Sequence, residues 1–288
     1  MSFTTDTFAS PVDGTPLRTY SWGADLESSA GVVQIAHGIA EHAERYDRLA
    51  EALLAAGYRV CAVDHRGHGK SIVEGGIPGS FGEAGYAALI TDVAALGESL
   101  QSEGLPLFLV AHSMGSFAAQ AVLLDHSDLY RGVVLSGSTA LDVLAANLSG
   151  ADQPVGLEAF NAGFEHRTGF EWLTRDPAEV DKYVADPLSG FDLPDDALPQ
   201  LFADADGLAD PEALRGIRPG LPILIASGQD DPVAGGGQLV ELVGQRYREA
   251  GLTDVTVKVY PDARHEIFNE TNRDEVTADV VAWLQAHS

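Results

Sequence analysis

The chain is short of cysteine, of positive charge and of long apolar runs, and each shortage excludes something. A single cysteine among 288 residues, Cys61, rules out an intrachain disulfide. It lies in the apolar run from Tyr58 to Val63, where a quiet buried thiol is expected. Only 17 lysines and arginines stand against 43 acidic residues, a formal net charge of −26. A chain so anionic repels nucleic acid and anionic membrane surfaces, and both drop out as partners. No apolar stretch approaches the roughly 20 residues of a membrane-spanning helix, so no stable membrane insertion is expected. Met1 to Pro11 offer Ser, Thr and Asp where a secretory signal needs basic and then apolar residues. The expected location is cytoplasmic. The acidic residues are spread along the chain and read as a solvated surface, with adaptation to high salt as the second reading.

What is present suffices for a large core. Hydrophobic residues make up 45% and charged residues 21%, the balance of a soluble globular protein. A chain of this length buries about three quarters of its unfolded surface and needs no covalent staples. Short strands at 6–9 and 16–22 flank the turn Pro11-Val12-Asp13-Gly14. Apolar strands then alternate with helical patterns. The strands are Gly31 to Ala36, Tyr58 to Val63, Leu105 to Ala111, Arg131 to Ser136, Leu221 to Ala226 and Val255 to Tyr260; helices are expected at 44–56, 82–103 and from about Ser113 to Asp125. Strands apolar on both faces, separated by helices, predict an α/β fold with a mostly parallel sheet covered on both sides.

The rhythm breaks between about Thr139 and Pro219. No convincing strand occurs there, only short helical pieces such as Leu141 to Leu148 and Pro177 to Val184, with bulky Phe160, Phe164, Phe170, Trp172, Leu173 and Phe202. A structureless loop of that length is foreign to a compact domain. The expected organisation is a core of residues 1–138 and 220–288 with a helical cap at 139–219. The aromatics would pack the insertion's own core or line a lid.

Strand Leu105 to Ala111 runs into His112-Ser113-Met114-Gly115 and a helix. This strand–tight turn–helix context presents a nucleophilic serine clear of a sheet. Small residues two before and two after it let strand and helix approach; Gly115 fills the second place and Ala111 stands where glycine is usual. A serine hydroxyl needs an imidazole to take its proton and a carboxylate to orient that imidazole. In the order Ser, acid, His, the last two follow late strands. His265 follows the last strand and is the expected base. Asp230 and Asp231 compete for the acid; Asp231 is chosen for its place before Pro232-Val233. The oxyanion of a tetrahedral intermediate needs two backbone N–H donors, expected from Met114 and from Ile39 in His37-Gly38-Ile39. His37, Glu41 and His42 lack a zinc-site pattern, so no metal is expected. Asp64-His65-Arg66-Gly67-His68-Gly69-Lys70-Ser71 lacks the phosphate-loop spacing and reads as a structural loop, with Arg66 expected to pair with a buried carboxylate such as Glu41.

Taken together, these stretches, with Arg45-Tyr46, Asp176-Pro177, Tyr183 to Leu188, Glu266 and Asn269-Glu270, resemble the monoacylglycerol lipase and lysophospholipase branch of the α/β-hydrolase superfamily. The resemblance runs from about Leu17 to Trp283. It implies a serine hydrolase acting on monoacylglycerols or related single-chain esters beneath a helical cap, without cofactor. It also supports Asp231 as the acid, and Ile39 and Met114 as donors. Other chemistries on the same triad, amidase, lactonase or thioesterase, stand as alternatives. From a different class comes a slow or non-hydrolytic ligand receptor. Epoxide hydrolases and dehalogenases would need an aspartate at position 113.

Overall fold

The computed structural model describes residues 3–26, 28–102, 104–149 and 156–288. Its eight strands are β1 (Phe3–Ala9), β2 (Pro16–Trp22), β3 (Gly31–Ala36), β4 (Tyr58–Val63), β5 (Leu107–His112), β6 (Gly132–Ser136), β7 (Ile223–Gly228) and β8 (Val255–Tyr260). They form one sheet in the order β1-β2-β4-β3-β5-β6-β7-β8. Pairing is antiparallel where β2 meets β1 and β4, and parallel from β4 onward. Nine helices accompany them among the described residues: α1 (Asp47–Ala55), α2 (Gly85–Gln101), α3 (Met114–His126), α4 (Leu141–Leu148), α5 (Pro177–Ala185), α6 (Ala197–Phe202), α7 (Pro211–Leu214), α8 (Gln238–Glu249) and α9 (Arg273–Ala286).

The alternation of side chains along each central strand builds two cores. Val32, Leu107, Leu109, Val133, Leu135, Ile223 and Ile225 face a cluster with Leu89 and Val93 of α2, Leu123 of α3 and Val240 of α8. Val33, Ile35, Phe108, Val110, Val134 and Leu224 face Leu49 and Leu53 of α1 and Val276, Val280 and Leu284 of α9. Both faces are therefore dry, which is why these strands read as unbroken apolar runs. The α/β-hydrolase fold expected from the sequence is the fold observed.

The differences lie at element ends and have local causes. β5 and β7 begin two residues later than expected, after Pro106 and Pro222, which have no N–H to offer a ladder. The helix expected from residue 82 starts at Gly85, because Gly82 and Gly85 hold φ of 74° and 69°, outside the helical region. Glu103, its expected end, lies outside the described residues, as do positions 150–155 of the expected cap. Between β6 and β7 the described residues carry α4 to α7 and short 3₁₀ turns but no strand. Leu141, Leu144, Leu157, Trp172, Leu173 and Leu201 of this stretch continue the first sheet core. Among the described residues no helix is long and apolar enough to cross a membrane.

Arg66 does pair with a buried carboxylate, but not with the one expected. Arg66 does not reach Glu41. Its Nε donates to Asp92 at 2.9 Å, Nη1 to Asp13 at 3.0 Å and Nη2 to Ser10 at 3.0 Å. The side chain turns from the loop after β4 toward α2 and the β1–β2 turn, while Glu41 is engaged elsewhere. Asp64, at the head of the same loop, accepts from the backbone N–H of Ala43 and Lys70 and from the Tyr20 hydroxyl, which fixes the loop in place. Arg66→Met leaves buried Asp92 without its counter-charge, and should cost about 3–5 kcal/mol at pH 7 in urea unfolding. Burial already raises the pKa of Asp92, so the loss should shrink at pH 4, where the carboxyl is neutralised more readily.

Candidate active site

The turn from β5 into α3 is sharp because its residues permit it. Ser113 sits at φ 51° and ψ −123°, a conformation that L side chains rarely adopt and that costs roughly 1–3 kcal/mol. Gly115 cannot be larger: a Cβ there would lie 2.4 Å from the carbonyl oxygen of Ala36. Ala111 is fully buried between Ala36 and Leu135 in the ladder, so the methyl in place of the usual hydrogen is absorbed by core packing. Met114 opens α3, and an N–H in the first helical turn has no intrahelical acceptor.

The loop after β3 passes close to Ser113. A Cβ on Gly38 would stand 3.1 Å from the Ser113 Cβ and 2.8 Å from Glu41 Oε1, so only glycine fits. Ile39 follows it, half-buried, and Ala40 takes φ 52°. The Ala40 carbonyl oxygen accepts from the Tyr183 hydroxyl and from the Gly190 N–H, both at 2.9 Å, which ties this loop to the insertion.

His265 and Asp231 meet across the ends of β8 and β7. The His265 Nδ1 lies 3.0 Å from Asp231 Oδ2, and both side chains are buried. The carboxylate also accepts from the Val233 N–H at 2.8 Å and from the Ser227 hydroxyl at 3.3 Å. Asp230, the competitor, points to solvent. Gly137 makes room for the imidazole, since a Cβ there would lie 2.9 Å from His265 Cε1 and 2.7 Å from His112 Cε1. Burial alone would push the His265 pKa down; Asp231 outweighs it, by charge and by hydrogen bond, with help from Glu266 and Glu41, and the net shift is upward from 6.5. Its neighbour His112 is held neutral, pushed down to about 4 by burial and by His265.

A largely enclosed arginine, its side chain 11% exposed, joins the two loops. Arg45 donates to Glu266 twice, at 2.5 and 2.7 Å, and to Glu41 at 2.6 Å. Glu41 in turn accepts from the Gly38 N–H at 2.5 Å and from the Tyr46 hydroxyl at 2.7 Å. Sequence reasoning noted Arg45, Tyr46 and Glu266 only as part of a resemblance and gave them no task. Spacing could not reveal one, because Arg45 and Glu266 are 221 positions apart. His37, Glu41 and His42 face different partners: His37 Nε2 accepts from the His65 N–H, and His42 Nε2 contacts Asp186 at 2.7 Å.

If Asp231 sets the charge state of His265, then Asp231→Asn should carry the ring's titration midpoint below its wild-type position. Histidine NMR titration reads this directly, and an unmoved midpoint would refute the assignment of cause.

Residues 27–272 match the family described as serine aminopeptidase, S33. The monoacylglycerol lipase of Mycolicibacterium smegmatis is 32% identical over 281 residues, covering 92% of this chain and 91% of that protein. Human monoglyceride lipase is 31% identical over 169 residues, 54% of this chain and 52% of its own. Among solved structures, a thermostable carboxyl esterase from Bacillus coagulans in complex with glycerol superimposes with a TM-score of 0.85 at 29% identity, covering 99% of both chains. On the strand-end geometry and these likenesses, the chain belongs to the serine aminopeptidase S33 family, in the monoacylglycerol lipase-like branch of the α/β-hydrolases.

Proposed function

We propose that this serine hydrolase cleaves monoacylglycerols or related single-chain carboxylic esters, with Ser113 as nucleophile, His265 as base and Asp231 as the acid that orients it. The observation that carries the reading is the buried His265–Asp231 pair at the ends of β8 and β7, set in one sheet with a strained serine at the end of β5. Ser113 Oγ attacks the ester carbonyl while His265 takes the hydroxyl proton. The N–H groups of Ile39 and Met114 hold the oxyanion. Collapse breaks the ester bond, and His265 returns the proton to the departing alcohol. Water then adds to the acyl-enzyme by the same route, freeing the acid and regenerating Ser113. No step calls for a metal or organic cofactor.

Residues 139–219 act, in this reading, as the cap. A cavity of about 820 Å³ among Leu157, Phe170, Phe191, Leu193 and Phe202 gives an apolar acyl chain somewhere to lie. One of its wall residues, Gly190, donates to the carbonyl of Ala40, next to Ile39, which brings that wall to the oxyanion loop. The lone thiol and the charge of −26 fit a cytoplasmic enzyme that meets its ester away from anionic surfaces.

A fluorophosphonate probe should label the wild type and leave Ser113→Ala unlabelled; equal labelling would overturn the nucleophile. On p-nitrophenyl esters of graded length, with monoacylglycerols alongside, activity should peak above acetate. A maximum at acetate without monoacylglycerol turnover refutes the lipase reading. His265 works as a base only when neutral, and its pKa is raised. The acidic limb of kcat/KM should therefore have its midpoint above pH 6.5. A rate flat down to pH 4 contradicts the base.

A further inference from the structure

One hydrogen bond to Asp231 fixes a single atom of the His265 ring. It leaves the imidazole free to tilt about the Nδ1···Oδ2 line, and a tilt displaces the far nitrogen, Nε2, which in the triad reading must take the serine proton. Two flat neighbours block that tilt. The imidazole packs against the rings of both His112 and Trp172, each centroid 4.8 Å from its own, tilted at interplanar angles of 52° and 37°. His112 belongs to β5, beside Ser113. Trp172 comes from the insertion, in the second of the two 3₁₀ turns described between α4 and α5, Glu171–Leu173.

That turn is sewn to the loop that carries the base. The His265 N–H donates to the Trp172 carbonyl at 3.3 Å, and the Glu266 N–H to that of Leu173 at 2.7 Å. Arg264 donates to the carbonyls of Glu171 at 2.6 Å and Thr174 at 3.2 Å, and Arg175 reaches Glu270 at 2.9 Å. On the other side the Trp172 N–H donates to Asn161 Oδ1 at 2.9 Å, and the indole packs on Phe160 at 5.2 Å. The indole Nε1 is itself buried and meets no acceptor among the described residues. A buried donor left unpaired costs about 1–3 kcal/mol, so hydrogen bonding is not what this tryptophan contributes. Its tilted ring packed against the imidazole is. Nor does it line the cavity among Phe170, Phe191 and Phe202.

We propose that Trp172 is a positioning residue for His265, so that a side chain of the insertion holds the base in register with Ser113 and Asp231. The inference rests on the triad reading above. Trp172→Leu should lower kcat roughly 10- to 100-fold, the scale of loss from a small misplacement of a catalytic group. The factor should be the same for acetate and for longer p-nitrophenyl esters, with KM changed less than about twofold. Fluorophosphonate labelling of Ser113 should slow in proportion, and Trp172→Phe, which keeps a ring, should recover most of both rates. Circular dichroism checks that the variants fold. Should the leucine variant not fold, Trp172→Met, which keeps bulk without a ring, carries the same expectations. Wild-type kcat, a loss that grows with acyl length, or a phenylalanine variant no better than leucine would each overturn the proposal. Labelling that persists in Ser113→Ala defeats the underlying triad instead, and the two failures are thereby distinguishable.

Discussion

The site depends on one largely enclosed cation. Arg45 lies between Glu41, which sits three residues past Gly38, and Glu266, the neighbour of His265. Withdrawing these three charges from water is expensive, and Coulomb attraction repays it only when the hydrogen-bonding positions are well used. Here the positions are well used: two bonds to Glu266, one to Glu41, and a Tyr46 hydroxyl and Gly38 N–H on the remaining oxygen of Glu41. Replacement of one ion strands the others. The gain is therefore less in stability than in geometry, since the loops after β3 and β8 have no shared ladder to fix their separation. The guanidinium fork provides that fixed spacing.

Around this tie the backbone is tightly crowded. Gly38, Gly115 and Gly137 sit where any side chain would strike Glu41, a main-chain carbonyl or an imidazole. Ser113 and Ala40 take positive φ without being glycine. Strain of this sort persists only where the surroundings leave no alternative. The surroundings here are a double-sided core, with Leu109 facing one cluster and Val110 the other on the strand that delivers Ser113.

Much of this was legible in the sequence because it is periodic or local. β3, β4 and β8 came out of apolar runs with their observed ends, and the elbow came from small residues at fixed offsets from Ser113. Asp231 could be preferred to Asp230 by its position before proline, and it is Asp231 whose carboxylate lies 3.0 Å from His265. What sequence could not supply were partners far apart in the chain. Arg66 was matched with the wrong carboxylate because charge alone does not say which way an arginine leaves its loop; Asp92 and Asp13 won through the path of α2 and the β1–β2 turn. The ties from Arg45 to Glu266 and from Trp172 to His265 share that cause. Each joins segments that no motif spans.

The stitching of the turn Glu171–Leu173 to the loop at His265 also bears on how the protein can be redesigned. An insertion between two strands looks like a cassette, to be cut out after β6 and replaced before β7 to alter the substrate. Here the insertion is hydrogen-bonded to the loop at His265 and packs Trp172 on its ring, so on the proposed reading its exchange would alter pocket and chemistry together. A graft that leaves Asn161 and the stretch from Glu171 to Arg175 in place, and trades only the walls among Leu148, Phe191 and Phe202, separates selectivity from catalytic power.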